Sequence, residues 1–189
     1  MPSGRTHDRI TYLSLPLIAG LAYLFTHQPD LTVIVTGGYF FSGLMFGPDL
    51  DIYSIQYKRW GIFRWLWLPY QSHLKHRSFL SHGFLIGTIL RLLYLGTILS
   101  LAAIPILAIS QLLGVFTWNW QNFRDNTLSL FLNQYFDQAI ALFIGLELGA
   151  MSHSISDHVG TWLKRSQNKN KKKDAKKQTN KRKNSRKRY

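Results

Sequence analysis

The chain has 189 residues, the size of one domain with an appendage, and its 23 lysines and arginines against nine acidic residues give a net charge of +14. Most of that excess lies in residues 164–189, which hold 14 basic residues and one acid, whereas residues 1–163 carry only +1. The chain has no cysteine, which excludes disulfide bonds and thiolate ligands, so any metal must be held by nitrogen and oxygen atoms.

Four apolar segments predict an all-α protein, embedded in a membrane as a bundle of about four helices. They cover residues 10–25, 31–46, 84–109 and 135–151, and they approach the roughly 20 residues that a spanning helix needs. The first segment follows a charged N-terminus, so a cleaved signal peptide is an alternative for it. A soluble helical bundle is the other alternative, but its helices would show a polar face at helical spacing, and these segments show none.

The distribution of basic residues predicts how the segments are oriented. If each segment crosses once, residues 1–9, 47–82 and 152–189 share one side of the membrane. Outside the apolar segments, every basic residue except Arg124 falls on that side, which the positive-inside rule makes cytoplasmic. We therefore expect a multi-pass protein of the cytoplasmic (inner) membrane, surrounded by membrane lipids, with both termini in the cytoplasm.

Histidines and aspartates gather on the same predicted side, at the ends of the apolar segments. Neutral imidazole is the commonest protein ligand of zinc, and carboxylates complement it. His153 and Asp157 are spaced i, i+4 and face the same way on a helix. Asp49 and Asp51 follow a proline, and there one carboxylate can bind a metal while the other orients a ligand.

The remaining candidates lie near two predicted helix starts. Thr6 is a possible N-cap that would place His7 in the first turn, and Ser78 or Ser81 can cap a helix after the histidine-rich segment 72–82. Each motif also has an ordinary interpretation as a polar loop, a helix end, or a histidine that binds lipid headgroups. The histidines of segment 72–82 are His73, His76 and His82.

Two basic segments have other expected roles. Residues 53–70 combine many aromatic side chains with Lys58, Arg59 and Arg64, which is typical of a membrane-interface belt, although such a stretch can also stack on nucleic acid. Residues 164–189 are of low complexity and are expected to form a disordered tail after a domain of residues 1–163. That tail would bind anionic lipid or RNA, or would act only as a determinant of topology.

The histidine and aspartate motifs together resemble those of integral membrane proteins of bacteria and archaea that are described as metal-binding and have no firmly assigned activity. The resemblance to these proteins is especially close in two segments, Tyr57-Lys58-Arg59-Trp60-Gly61 and the one from His76-Arg77-Ser78 to Ser81-His82-Gly83. The chain is similar, more distantly, to the inner-membrane metal-dependent hydrolase family. The resemblance covers residues 5–160, and the metal ligands that it implies are His7, Asp49, Asp51, His76, His82, His153 and Asp157.

Seven candidate ligands exceed what one tetrahedral ion needs, so we expect one or two divalent ions, with zinc preferred. As a hydrolase, the protein would act on a phosphoester or a lipid headgroup at the cytoplasmic face. Asp51 or Asp157 would then serve as general base, and Arg77 would stabilise phosphate charge. The alternatives are a non-catalytic structural or sensory metal site, or a membrane anchor for the basic tail.

Two charged residues, Arg91 and Glu147, interrupt the apolar segments. Ionisable groups at membrane depth usually pair or face a cavity. The sequence predicts that these two pair beneath the metal site, although Arg91 could instead extend to the interface alone.

Overall fold

The structure is a computed structural model that describes residues 4–76, 78–115 and 119–186, and within these ranges it is helical without a β-strand. This confirms the all-α prediction. The helices are α1 (Gly4–Thr26), α2 (Pro29–Leu44), α3 (Ile55–Arg59), α4 (Leu68–His73), α5 (Phe79–His82), α6 (Ile86–Leu112), α7 (Trp120–Leu130) and α8 (Phe136–Arg186). Short 3₁₀ segments cover Pro48–Asp51 and Gly61–Trp67, and a π-helical turn, Phe131–Tyr135, leads into α8.

Among the described residues, four stretches are long and apolar enough to cross a membrane, by length and composition alone. They contain three of the four apolar segments of the sequence and residues 86–109 of the remaining one, and no membrane is part of the structure. On α1 and α6, many aliphatic side chains are exposed, Leu13 and Leu101 among them. The four stretches are Gly4–Thr26, Pro29–Asp51, Ile86–Leu112 and Gln121–Lys169.

Helix α2 packs against both α1 and α8, and glycines set its distance from α8. A Cβ added to Gly145 would lie 2.3 Å from the carbonyl oxygen of Val35, and one added to Gly149 would lie 2.5 Å from that of Tyr39. The spacing of the two glycines places both on one helix face, which allows the two backbones to approach closely. The close approach brings residues 145–153 of α8 beside the second half of α2.

The aromatic-basic segment 53–70 divides into a buried and an exposed part. Trp67 and Tyr70 are buried with Phe46 and Leu50 in a core cluster, so this part is not an interface belt. Trp65 of the same segment is 61% exposed. The sequence missed this division because the 3₁₀ turn Gly61–Trp67 directs neighbouring tryptophans to different sides.

Two local expectations about helix starts have different outcomes. Ser78 caps α5, and its side chain accepts a hydrogen bond from the Ser81 backbone N–H, which confirms that cap. Helix α1 already includes Gly4, so Thr6 lies inside the helix and is not its cap. His7 lies in the first turn of the described part of α1.

The basic tail begins inside α8 and has helical backbone through Arg186, where the sequence predicted disorder from residue 164. No glycine or proline follows Gly160 to end the helix, and lysine, glutamine and arginine are good helix formers. Mutual repulsion among the many basic residues opposes a long isolated helix. The disorder of this tail in solution and the domain boundary after residue 163 stay predictions.

The buried Arg91 and Glu147 do not form the direct ion pair that the sequence predicted. Arg91 donates from Nη1 to the carbonyl oxygen of Ser81 at 3.1 Å, and Glu147 accepts from the backbone N–H of Leu85 at 2.8 Å. Both side chains are thus bonded to backbone groups, Arg91 to one in α5 and Glu147 to one in the connection between α5 and α6. The sequence could not reveal these backbone partners.

Candidate metal centre

Six of the seven predicted ligands come together where the starts of α1 and α6 and the end of α2 meet the middle of α8. They form two groups, and within each group one potential ligand atom from every residue lies within 4.8 Å of the others. The first group is His7, His153 and Asp157, which are all buried. The second group is Asp49, His76 and His82.

Asp49 lies between the two groups and offers one carboxylate oxygen to each. Its Oδ2 is 3.2 Å from His153 Nε2, and its Oδ1 is 3.7 Å from His82 Nε2. The 3₁₀ turn Pro48–Asp51 sets this position, because Pro48 starts the turn and the fully buried Leu50 anchors it in the core. A carboxylate placed in this way can act as a ligand shared by two ions.

Each of the four histidines has a polar partner on the ring nitrogen that faces away from the centre. Such a partner orients the ring and, where it accepts a proton from Nδ1, leaves the Nε2 lone pair for a metal. His153 has the longest of these contacts, and its glutamine partner also donates to the carbonyl oxygen of Gly43 at 2.9 Å. The partners of Nδ1 are Ser156 for His7 (2.6 Å), Gln56 for His153 (3.4 Å), Asp51 for His76 (2.9 Å) and Ser81 for His82 (2.9 Å).

Four of the atoms that face the centre lack such partners. Nε2 of His76, His82 and His153 and Oδ1 of Asp49 are buried without a hydrogen-bond partner in the part of the chain that the structure describes. Burying polar atoms in this way is costly unless something binds them. The rings of His7 and His153 also stack, with centroids 3.9 Å apart. Imidazole nitrogens with carboxylate oxygens are a donor set that fits a divalent transition metal.

Asp51 lies behind the second group, although the sequence placed it among the ligands and the bases. Its Oδ1 faces Nδ1 of His76, and its Oδ2 accepts a short hydrogen bond from Ser81. The same Oδ2 lies 3.8 Å from Nδ1 of His82. These contacts favour a role in orienting both histidines, and ligation by Asp51 stays a prediction. Arg77, the predicted anion-stabilising residue, lies outside the described residues.

A charged pair that the sequence analysis missed holds the start of α1 in place. Arg59 forms a two-pronged ion pair with Asp8, at 2.9 and 2.6 Å, and also donates to the carbonyl oxygen of Leu44 at 2.9 Å. The hydrogen bond to Asp8 raises the pKa of Arg59 above its ordinary value. Because Asp8 follows His7, this pair fixes His7 relative to the end of α2. No sequence signal joins residues that are 51 positions apart.

The centre has an open side. A cavity of about 640 Å³ adjoins both groups through His82 and Asp157, and its described wall continues along α8 through Val159, Trp162 and Arg165. His158, which the sequence treated as an extra histidine, also lines this cavity and donates from Nδ1 to the carbonyl oxygen of Ser154. The other extra histidine, His73, donates a hydrogen bond from Nδ1 to the carbonyl oxygen of Pro69 and is not part of either group.

Comparison with known proteins agrees with a metal centre. A family model described as "Uncharacterized metal-binding protein (DUF2227)" matches residues 2–167, a range that contains all seven predicted ligands. The chain has no match among curated proteins or solved structures. The more distant likeness to inner-membrane metal-dependent hydrolases stays a prediction. The family model covers most of the chain, and the two groups of histidine and aspartate agree with its description. This chain therefore belongs to the family of uncharacterized metal-binding proteins whose model matches residues 2–167.

Proposed function

We propose that the protein is a multi-pass membrane protein that binds two divalent ions, zinc in the first instance, and hydrolyses a phosphoester at the cytoplasmic face. The position of Asp49 carries this proposal. One carboxylate lies between two groups of ligands, with one oxygen toward a histidine of each. Two adjacent ions with a shared carboxylate are a recurrent arrangement in enzymes that cleave phosphoesters.

Zinc suits the donor atoms because it accepts imidazole and carboxylate together and binds with few ligands. His7, His153 and the shared Asp49 would hold one ion, and Asp49, His76 and His82 would hold the other. That set leaves Asp157 as a spare carboxylate and leaves a position on each ion for water or substrate. When bound, the ions would supply an activated water and positive charge for the phosphoryl oxygens. The protein's own residues would hold the ions, orient the substrate and accept the proton of the water.

The two carboxylates proposed as general base differ in access. Asp157 lines the cavity, whereas the side chain of Asp51 is enclosed behind His76 and Ser81. The proton of the attacking water would therefore go to Asp157, and Asp51 would keep His76 and His82 in orientation. The role expected of Arg77 in stabilising phosphate charge remains part of the hypothesis.

The cavity favours catalysis over a purely structural site. A structural zinc site is closed by its protein ligands, whereas a catalytic one keeps an open position. The wall of this cavity combines apolar Val159 and Trp162 with the cationic Arg165, which suits an anionic substrate with an apolar part. A lipid headgroup or another phosphoester has these properties.

The membrane location rests on composition and charge. Four stretches are long and apolar enough to span, and the basic residues lie almost entirely on the side of the metal centre. In the cytoplasm, the basic tail would attract anionic lipid or RNA through its charge.

A non-catalytic metal site is the second candidate. Its support is that the ligands come from separate elements, including both ends of the described domain, His7 and Asp157. An ion held in this way would join those elements and contribute to folding. The two candidates differ in whether a phosphoester is hydrolysed when the metal is present.

The test uses the full-length protein purified in detergent and supplied with zinc alone. Bound zinc is measured by elemental analysis, and hydrolysis is measured with bis(p-nitrophenyl) phosphate and with short-chain phospholipids. We expect about two zinc ions per chain and zinc-dependent hydrolysis. Asp49→Asn should lower hydrolysis by about 100-fold or more, because it weakens both ion positions.

His73→Ala is the matched control, because this histidine is exposed and lies outside both groups. It should leave zinc content and hydrolysis unchanged. Two bound ions without hydrolysis of any phosphoester, together with unfolding on chelation, would support the structural site instead. A protein that binds no zinc or other divalent ion would refute both.

A further inference from the structure

The connection of residues 79–85, which comprises α5 and the turn before α6, carries His82 of the metal centre, and two buried charged residues hold this connection from opposite sides. These residues are Arg91 on α6 and Glu147 on α8, with exposed fractions of 1% and 7%. Neither belongs to the two groups of candidate ligands. Burying a charged side chain costs free energy. The contacts that Arg91 and Glu147 make with this connection are therefore expected to serve a purpose.

Glu147 stabilises a strained backbone at Leu85. Leu85 has a φ of 62°, in a region that a leucine adopts only when its surroundings hold it there. Its backbone N–H donates to Glu147 Oε1 at 2.8 Å. A hydrogen bond to a carboxylate is stronger than one to a neutral acceptor, and burial limits competition from water. The bond therefore keeps the connection in a conformation that Leu85 alone would leave.

Arg91 holds the part of the same connection that lies in α5. Its Nη1 donates to the carbonyl oxygen of Ser81 at 3.1 Å, and its Nη2 donates to Oγ1 of Thr88 at 2.9 Å. Ser81 immediately precedes His82, and its hydroxyl donates to Asp51. The backbone on both sides of His82 is thus fixed, by Arg91 before it and by Glu147 three residues after it.

We propose that Glu147 and Arg91 are positioning residues for the metal centre, which hold the connection so that Nε2 of His82 faces Asp49. Glu147 lies six residues before His153 on α8, so it also ties the second group of ligands to the helix that carries part of the first. The proposal rests on the metal-binding part of the proposed function and does not require hydrolysis.

A different role would be charge compensation, in which Glu147 serves only to neutralise Arg91 inside the protein. The two roles depend on different properties of the side chain. Positioning requires an acceptor oxygen at the full length of a glutamate, which glutamine keeps and aspartate does not. Charge compensation requires the negative charge, which aspartate keeps and glutamine does not.

The experiment compares Glu147→Gln, Glu147→Asp and Glu147→Leu in the full-length protein in detergent, with zinc as the metal supplied. Bound zinc is measured by elemental analysis, and hydrogen exchange is followed in peptides that cover residues 79–85. We expect the glutamine variant to keep the zinc content of the wild type. The aspartate and leucine variants should lose about half of it, with exchange in residues 79–85 faster by about tenfold or more. Asp137→Leu, which removes an exposed acid from the same helix, is the control and should change neither measurement.

The reverse order, with aspartate retaining zinc and glutamine losing it, would overturn the proposal in favour of charge compensation. Wild-type zinc content and exchange in the leucine variant would also overturn it. If the leucine variant does not fold, a double variant with Leu85→Gly and Glu147→Asp tests the positioning role instead, because glycine adopts a positive φ without strain. That double variant should regain zinc, and its failure to do so would count against positioning. A wild-type protein without zinc would refute the proposed function, and the exchange measurements alone would then test the positioning.

Discussion

Adding one methyl group to Gly149 should disturb both the α2–α8 interface and the metal centre. In Gly149→Ala the new Cβ would lie 2.5 Å from the carbonyl oxygen of Tyr39 and 2.7 Å from Cβ of Ser42. Ordinary van der Waals contact begins at about 3.4 Å, so the two backbones must separate by roughly 1 Å. Overpacking of this kind typically costs about 1–3 kcal/mol.

The displacement should reach the metal centre because both helices lead directly into it. Gly149 is four residues before His153 on α8, and α2 leads into Asp49, whose Oδ2 is 3.2 Å from His153 Nε2. A shift of roughly 1 Å is enough to weaken a shared metal ligand. We therefore expect lower zinc retention together with a midpoint of thermal unfolding lower by about 2–12 °C.

Gly37→Ala is the matched control, because nothing lies within 4 Å of a Cβ added there. It is also a helical glycine of α2, and alanine at an open helical position is favoured by up to about 1 kcal/mol. Thermal unfolding in detergent and elemental analysis of zinc after removal of free metal are the two measurements. If Gly149→Ala unfolds at the same temperature as Gly37→Ala and keeps its zinc, the close packing of α2 on α8 is not what positions the site.

Three further predictions concern other parts of the centre. Arg59→Leu should lower the free energy of unfolding by about 1 kcal/mol and reduce zinc retention, since it releases Asp8 and the start of α1. Arg124→Leu, which breaks a largely exposed ion pair, is its control, and equal effects of the two changes would contradict the role given to Arg59. Zinc should be released as the pH falls, because protons compete with the metal for the ligand atoms; zinc retained at pH 4 would argue against histidine ligands. Removing residues 166–189 should leave zinc content intact but weaken binding to anionic vesicles in a salt-dependent manner, and loss of zinc would show that the domain extends into the tail.

The sequence was sufficient for the features that depend on local chemistry. Runs of apolar residues determine where the long helices lie, and the cap at Ser78 follows from the hydroxyl that precedes a helical turn. The identity of the candidate ligands also came from the sequence. Histidines and aspartates at helix ends could be collected by type and by predicted side without knowing how the helices pack. The family match to residues 2–167 agrees with metal binding.

Only the tertiary structure separated the roles of those residues. Asp49 and Asp51 are two positions apart in one turn, and it is the packing around Leu50 that turns one toward both groups of histidines and the other toward Ser81. The same limit applies to Arg91 and Glu147, whose partners are backbone groups of a connection whose conformation the sequence does not reveal. A local sequence pattern indicates which chemistry a side chain can perform. The role of that side chain depends on which distant atoms the packed helices bring within bonding distance of it.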